Sequence, residues 1–263
     1  MDVQAYLSRY GCEVPAEPSL DELRSLHVKH LMSVPFEDLT SHSGGRVVLD
    51  LSTVYDKIVN QRQGGSCFEN NIFITGCYDP PCSHMVLMVM LDGKRWLCDV
   101  GYGVPGFFLP MSLETDDLQL QGHRVYRIRL GNGMSFLECQ KERNNGLDGD
   151  WTIIYKFTLE PRLLDDFTDM CHFHQALVTP CYSTISPGGR INYVGHKLTI
   201  TIFPTEETKG GLHVETRELQ DEEIPEMLEE KFGLKLKCPL VPKDEPGTQY
   251  LLLIQKNVYE KKS

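Results

Sequence analysis

The sequence lacks an apolar run long enough to cross a membrane and has no excess of positive charge. Its longest apolar run, Met85 to Leu91, has seven residues, whereas a membrane-spanning helix needs about 20. Lys and Arg number 26 against 37 Asp and Glu, and this net charge of −11 disfavours partners such as nucleic acids or acidic membranes. The first residues lack the basic and apolar regions of a secretory signal, so we expect a cytoplasmic protein.

The composition is that of a globular protein with a substantial core. Of the 263 residues, 41% are hydrophobic and 24% are charged, both ordinary values for a folded chain of this length. The nine cysteines are an odd number in a chain without a secretory signal, which indicates reduced thiols in a cytosolic protein.

Helical periodicity dominates the first quarter of the chain. Ser19 followed by Glu22 is a capping box, which predicts that a helix begins there. We expect this helix to end before Pro35, because proline restricts the residue that precedes it. A second helix is predicted from Ser52 onwards by an apolar face formed by Val54, Tyr55, Ile58 and Val59.

Two hairpins are predicted in the middle of the chain. Apolar runs over 85–91 and 94–100 flank Asp92-Gly93, a two-residue loop that tolerates the positive φ of a tight turn. A second hairpin is predicted around Gly131-Asn132-Gly133, with strands over 123–130 and 134–140.

Strands and helices are mixed in the remaining part. Strands are predicted over 151–158 and 191–203, and helices from Leu163 to His174 and from Ile224 to Phe232. Helices, then strands, then mixed elements indicate the α+β class rather than alternating βαβ units.

Cys67 is a candidate nucleophile. It follows Gly64-Gly65-Ser66 and precedes Phe68, so we expect a sharp glycine turn that leads into a helix. The positive end of a helix dipole lowers a thiol pKa, which favours the nucleophilic thiolate. The alternative is a buried, inert cysteine, the commoner situation for a lone Gly-Gly-x-Cys.

The first hairpin supplies two possible partners for that thiol. With Asp92-Gly93 as the loop, Asp99 lies opposite Val86, and His84 is on the same face as Asp99. A His–Asp hydrogen bond would fix the imidazole tautomer and leave the other nitrogen to accept the thiol proton. A purely structural His–Asp pair is the alternative.

A zinc site also has to be considered in this stretch. Its possible ligands are Cys67, Cys77, Cys82, His84 and Cys98. Their spacing lacks the paired ligands typical of structural zinc and gives Asp99 no role, so we favour the nucleophilic site.

Several short segments match one enzyme family in particular: Asp2–Tyr6, Val34–Glu37, Gly64–Cys67, Leu97–Gly103, Phe157–Arg162 and Val241-Pro242. Together they make the chain resemble the arylamine N-acetyltransferases over nearly its whole length. The resemblance implies an α+β fold in three parts around a papain-like core. These are a helical bundle at 1–75 carrying the nucleophile, a β-barrel at 76–162 and an α/β lid at 163–263.

The resemblance also implies a reaction and a triad. An acetyl group would pass from acetyl-coenzyme A to an arylamine or arylhydrazine nitrogen by a ping-pong mechanism through an acetyl-cysteine. Cys67 would be the nucleophile, His84 the general base and Asp99 the orienting carboxylate. Backbone N–H groups near Cys67 would stabilise the oxyanion.

Further residues are implied to bind the two substrates. Tyr102 and Ser83 match positions that contact the acceptor amine, and Phe173 and Thr179 match positions associated with coenzyme A. The resemblance implies a monomer that uses no metal.

One interval departs from the family pattern. Only 16 residues separate Cys67 from His84, where the family holds a full helix and a further strand, so we interpret the interval as an internal deletion. Because Ile72–Thr75 favour a strand, we expect the helix after Cys67 to be short. Two alternatives therefore stay open, a catalytically impaired family member and a cysteine hydrolase or transglutaminase-like enzyme with the same triad.

Overall fold

The computed structural model describes residues 2–71, 82–103, 107–122, 124–140, 150–177, 181–186, 188–204 and 212–236. The N-terminal part is helical and contains an apolar cluster that includes Tyr10, Val34, Val54 and Ile58. The helices are α1 (Val3–Arg9), α2 (Leu20–Ser33), α3 (Leu39–His42), α4 (Leu51–Tyr55), which continues into a π-helical turn at Asp56–Asn60, and α5 (Cys67–Asn70).

Local capping explains where the two longer helical segments begin. The Ser19 side chain accepts a hydrogen bond from the Glu22 N–H at 3.2 Å, and α2 ends at Ser33, ahead of Pro35. The Asp50 side chain accepts one from the Thr53 N–H at 2.9 Å at the start of α4. Both predicted helices are confirmed.

The middle of the chain forms two antiparallel sheets. The first contains β2 (Leu87–Leu91), β3 (Lys94–Cys98) and β4 (Met111–Ser112), and the second contains β5 (Gln119–Gln121), β6 (Arg124–Gly131), β7 (Met134–Gln140) and β8 (Trp151–Phe157). Both contribute to one core cluster, in which Leu97, Met111, Tyr126 and Leu137 are almost completely buried. Both predicted hairpins and the predicted strand over 151–158 are confirmed, with Asp92-Gly93 and Asn132-Gly133 as the positive-φ loops.

The C-terminal part is a five-stranded antiparallel sheet with two helices. A 3₁₀ turn at Leu164–Phe167 precedes α6 (Thr168–Leu177), and another at Asp221–Glu223 precedes α7 (Ile224–Phe232). Both helices match the prediction, and Gly233 ends α7 in the left-handed conformation. The strands are β9 (Cys181–Ser186), β10 (Gly189–Val194), β11 (Lys197–Ile202) and β12 (His213–Glu218), with β1 (Phe36–Glu37) paired to β9.

Two expectations need correction. The single strand predicted over 191–203 is wrong, because Gly195, with φ of 62°, turns the chain between β10 and β11. The expected β-barrel is not confirmed either: within the described ranges the central strands form separate three- and four-stranded sheets without a strand pairing that closes them. None of the helices in the described ranges is long and apolar enough to cross a bilayer.

Candidate active site

The glycines before Cys67 bring two backbone segments into close contact. The Gly65 N–H donates to the Pro35 carbonyl at 3.2 Å, and the Glu37 N–H donates to the Gly65 carbonyl at 3.0 Å. A Cβ at Gly64 would lie 2.1 Å from the Pro35 oxygen, so only glycine fits there. Neither glycine has a positive φ, and the expected sharp turn is therefore replaced by close packing against β1.

Cys67 opens the one-turn helix α5 and keeps part of its surface accessible. Desolvation of the thiol by the surrounding protein raises the pKa of Cys67 far above its ordinary value, and the nearby Asp99 and Cys171 raise it further. The neighbouring Phe68 N–H acts in the opposite direction but is outweighed. The expected lowering of this pKa is therefore wrong, because a single helical turn supplies too small a dipole to offset desolvation.

The predicted hairpin register brings His84 and Asp99 together. Leu87 pairs with Cys98, so the strands meet as the sequence predicts, and both triad candidates lie just beyond this last pair. His84 Nε2 and Asp99 Oδ2 are 2.8 Å apart, and both residues are buried. The predicted His–Asp hydrogen bond is confirmed.

Both oxygens of the Asp99 carboxylate take part in hydrogen bonds, Oδ2 with His84 and Oδ1 with two further donors. Its Oδ1 accepts hydrogen bonds from Asn71 Nδ2 at 2.8 Å and from the Gly101 N–H at 3.0 Å. Burial favours the neutral acid, but the charge of His84 and the hydrogen bonds from His84, Asn71 and Gly101 outweigh it and hold the pKa of Asp99 below its ordinary value. The carboxylate is therefore ionised near neutral pH.

Asn71 connects this carboxylate to Cys67. Its side chain also donates to the Met85 carbonyl at 2.7 Å and accepts from the Val100 N–H at 3.0 Å, while its own N–H donates to the Cys67 carbonyl at 3.1 Å. The sequence analysis missed Asn71. Its position four residues after Cys67, at the end of a short helix, is a local signal that does not reveal the contact with Asp99.

The backbone of Cys67 lies against the segment that follows Asp99. A Cβ at Gly101 would be 2.9 Å from Cys67 Cα and 2.6 Å from Asn71 Nδ2. Across the described part of the chain, however, no hydrogen bond joins the Cys67 sulfur to a His84 nitrogen. The structure thus brings the three residues into one region and completes the imidazole–carboxylate contact but not the thiol–imidazole contact.

The four predicted substrate-binding residues differ in position. The Tyr102 ring lies 5.0 Å from the His84 imidazole, edge-on, and its hydroxyl donates to the Ile154 carbonyl at 3.1 Å. Ser83 is half-buried and adjoins His84 in the chain, and Phe173 is 44% exposed on α6. Thr179 lies outside the described residues.

A buried ion cluster of Lys57, Glu37 and Glu69 stabilises helix α5. Lys57 Nζ lies 3.0 Å from Glu37 Oε1 and 2.8 Å from Glu69 Oε1, and all three side chains are nearly or fully buried. The second oxygen of Glu69 accepts from the Ser66 N–H at 2.9 Å, which caps the helix that carries Cys67. The two carboxylates keep Lys57 charged, since they raise its pKa despite its burial.

The described residues contain no group of three or more His, Cys, Asp or Glu side chains arranged to hold a metal ion. Cys77, one of the ligands of the zinc alternative, lies outside the described residues.

Comparisons with known proteins identify relatives over most of the chain. The profile of the N-acetyltransferase family matches residues 19–79 and 73–241. The chicken (Gallus gallus) arylamine N-acetyltransferase, pineal gland isozyme NAT-10, is 29% identical, with 94% of this chain and 99% of the relative covered.

Solved structures agree with this result. The arylamine N-acetyltransferase of Nocardia farcinica is 28% identical with a TM-score of 0.74, covering 90% of each chain. The arylamine N-acetyltransferase of Mycobacterium marinum in complex with CoA is 25% identical with a TM-score of 0.74, covering 88% of this chain and 92% of that one.

The alignments also bear on the short interval before His84. The alignment with the chicken relative extends over 289 positions, 26 more than this chain has residues, so this chain has gaps within it. The two parts of the family match overlap at residues 73–79, between Cys67 and His84.

Proposed function

The chain belongs to the arylamine N-acetyltransferase family, a family of acyltransferases, and from this we propose that it transfers an acetyl group from acetyl-CoA to an arylamine or arylhydrazine nitrogen. The CoA complex of the M. marinum relative supports the donor, and the shared family name supports the acceptor class. The observation that carries the proposal is the buried 2.8 Å hydrogen bond between His84 and Asp99, whose surrounding segment packs against the Cys67 backbone.

The reaction proceeds in two half-reactions through an acetyl-cysteine. The Cys67 thiol gives its proton to His84 as the sulfur attacks the thioester carbonyl, and a new C–S bond forms while the bond to the CoA sulfur breaks. His84 returns that proton to the departing CoA thiolate. In the second half-reaction the amine nitrogen attacks the acetyl carbon, and its proton passes by way of His84 to the released Cys67 sulfur.

Asp99 and its neighbours keep His84 ready for this transfer. Because His84 Nε2 is bound to the carboxylate, Nδ1 is the nitrogen that faces the thiol during the reaction. The ionised Asp99 stabilises the imidazolium that forms. Desolvation raises the pKa of Cys67, which favours a resting thiol whose proton passes to His84 in the first half-reaction.

We assign the acceptor pocket to the side of His84 where Tyr102 lies. The Tyr102 and Tyr155 rings stand 5.0 and 5.4 Å from the imidazole, which supports an aromatic wall for an arylamine. Ser83 completes this wall in the proposal. Exposed Phe173 on α6 contacts the bound CoA, and Thr179 is assigned to the same role from the resemblance alone.

One observation favours a second candidate, a family member that binds CoA but does not transfer acetyl groups. The Cys67 sulfur has no hydrogen bond to His84 among the described residues, and its pKa is raised. In the proposed enzyme this contact forms when substrate binds, since catalytic hydrogen bonds tighten in the bound complex.

Mass spectrometry of the intact, folded protein separates the two. We expect acetyl-CoA alone to add one acetyl group to Cys67, and an arylamine to remove it while the N-acetylated amine appears. Cys67→Ser should abolish both steps, whereas Cys12→Ser, a control at a cysteine in the helical part, should leave them unchanged. A folded wild-type protein that takes up no acetyl group would support the non-transferring member, and release of free acetate without an amine would support a hydrolase.

A further inference from the structure

His27 connects the N-terminal helices to the end of strand β3. It is buried on α2, and its ring stacks on Phe107 at 5.7 Å. Its Nε2 accepts a hydrogen bond from the Asp99 backbone N–H at 3.2 Å, and its Nδ1 lies 2.6 Å from the Phe108 carbonyl oxygen. The imidazole therefore touches the main chain of the residue whose side chain holds His84.

The position of Asp99 makes this contact necessary. The β2–β3 ladder ends at the pair of Leu87 with Cys98, so Asp99 lies beyond the last pair, and its N–H donates to His27 instead of to a strand partner. Asp99 is itself buried, and a buried N–H without an acceptor is destabilising because it loses its hydrogen bond to water. His27 supplies the acceptor.

The two partners of the ring allow only one protonation state. The Phe108 carbonyl can only accept, so Nδ1 carries the hydrogen, and the Asp99 N–H can only donate, so Nε2 carries the lone pair. Burial favours the same neutral form and lowers the pKa of His27 to about 4, while the Phe108 carbonyl and the Asp99 charge oppose this only in part. The other titratable neighbour, His30, is also buried, and burial likewise keeps it neutral.

We propose that His27 is a positioning residue of the triad: its neutral imidazole fixes the main chain of Asp99 and thereby sets the geometry of the His84–Asp99 hydrogen bond. His27 does not contact substrate. The inference rests on the proposed acetyl transfer through Cys67, but it concerns a residue on a different helix from the nucleophile.

Two substitutions separate the two hydrogen bonds of the ring. In His27→Gln, the amide oxygen falls where Nε2 was and still accepts from the Asp99 N–H. In His27→Asn, the amide nitrogen falls where Nδ1 was and keeps only the bond to Phe108. Both variants lose the stacking on Phe107, so loss of that stacking cannot by itself spare one variant and impair the other.

The first readout is the rate of Cys67 acetylation. We expect His27→Asn to lower it about 100-fold, as a small displacement of catalytic groups does, and His27→Gln to stay within about threefold of wild type. His30→Asn is the matched control, because His30 is equally buried on the same helix and contacts Tyr10 rather than Asp99. Equal losses in the Asn and Gln variants would overturn the proposal.

The second readout does not depend on acetyl transfer. The pH profile of Cys67 alkylation by iodoacetamide reports how the thiol and its neighbours ionise, and we expect it to shift in His27→Asn but not in His27→Gln or His30→Asn. If wild type shows no acetyl adduct but the alkylation profile shifts only in His27→Asn, the proposed acetyl transfer is wrong and the positioning role of His27 is supported. Unchanged profiles in all variants would reject that role.

A measurement on wild type avoids the risk that a variant does not fold. Nitrogen-15 NMR of labelled histidines should show His27 with the hydrogen on Nδ1 and a bare Nε2 from pH 5 to 8. A hydrogen on Nε2 within this range would contradict the proposal.

Discussion

At the scale of single residues, the absence of a side chain at Gly101 allows the Cys67 backbone to pack against the segment that follows Asp99. We expect Gly101→Ala to push Cys67 and Asn71 away from the Asp99 segment, because the new methyl group would lie 2.9 Å from Cys67 Cα and 2.6 Å from Asn71 Nδ2. A displacement of this kind costs on the order of 100-fold in rate. Stopped-flow or quench measurement of Cys67 acetylation checks it.

Gly188→Ala is the matched control for this substitution. A methyl group there meets no atom within 4 Å, so the acetylation rate and the thermal midpoint should equal those of wild type. If Gly101→Ala reacted at the wild-type rate, the packing of Gly101 on the nucleophile would have no catalytic role.

Sequence reasoning at this scale found side chains whose partners are near in the chain or fixed by a hairpin. The His84–Asp99 pair followed from the register around Asp92-Gly93. Asn71 and His27 were missed because their contacts with Asp99 join segments far apart in sequence, which neither local spacing nor strand register specifies.

At the scale of elements, the buried Lys57 cluster fixes β1 and the π-helical turn against α5. We expect Lys57→Met to lower the free energy of unfolding by about 3–5 kcal/mol at pH 8, because it leaves Glu37 and Glu69 buried without their counter-charge. Urea denaturation measures the loss.

A lower pH and a second substitution show whether uncompensated charge or lost packing destabilises Lys57→Met. The loss should be smaller at pH 5 than at pH 8, because burial raises the pKa of Glu37 and a lower pH therefore favours the neutral acid, which carries no uncompensated charge. Adding Glu37→Gln to Lys57→Met should recover part of the loss at pH 8. A loss that is the same at both pH values would point to packing of the lysine chain instead of charge.

Element boundaries were predictable where capping or turn chemistry is local. Ser19, Asp92-Gly93 and Gly233 each mark an end that the structure confirms. The two-residue strand β1 was not predicted, because it forms through long-range contacts with Gly65 and β9. The β10–β11 turn was missed because only Gly195 and His196 separate the two strands.

At the scale of the whole molecule, two buried neutral histidines link stability to pH. Burial lowers the pKa of His27 to about 4 and that of His30 to about 3, whereas both titrate near 6.5 in the unfolded chain. Between pH 6.5 and 4 the unfolded state binds more protons, so stability is complete above pH 6.5 and falls as the pH is lowered. Each histidine contributes up to about 1.4 kcal/mol per pH unit.

The double variant His27→Gln/His30→Gln isolates this effect. Its unfolding free energy should change less steeply than that of wild type between pH 6.5 and 4, as measured by urea denaturation at several pH values. The difference between the slopes removes the contribution of buried acids such as Glu37 and Asp38, whose raised pKa values act in the opposite direction. Parallel slopes would show that the two histidines titrate normally.

The pairing of β1 also has a consequence for biosynthesis. Phe36 and Glu37 bridge Gly65, beside the nucleophile, to Ser183 and Tyr182 of β9. A nascent chain halted on the ribosome before residue 181 would already contain Cys67, His84 and Asp99, yet β1, which holds the segment ahead of Cys67, would lack its pairing with β9. We therefore expect catalytic competence to arrive late in translation, after the C-terminal sheet has emerged from the exit tunnel.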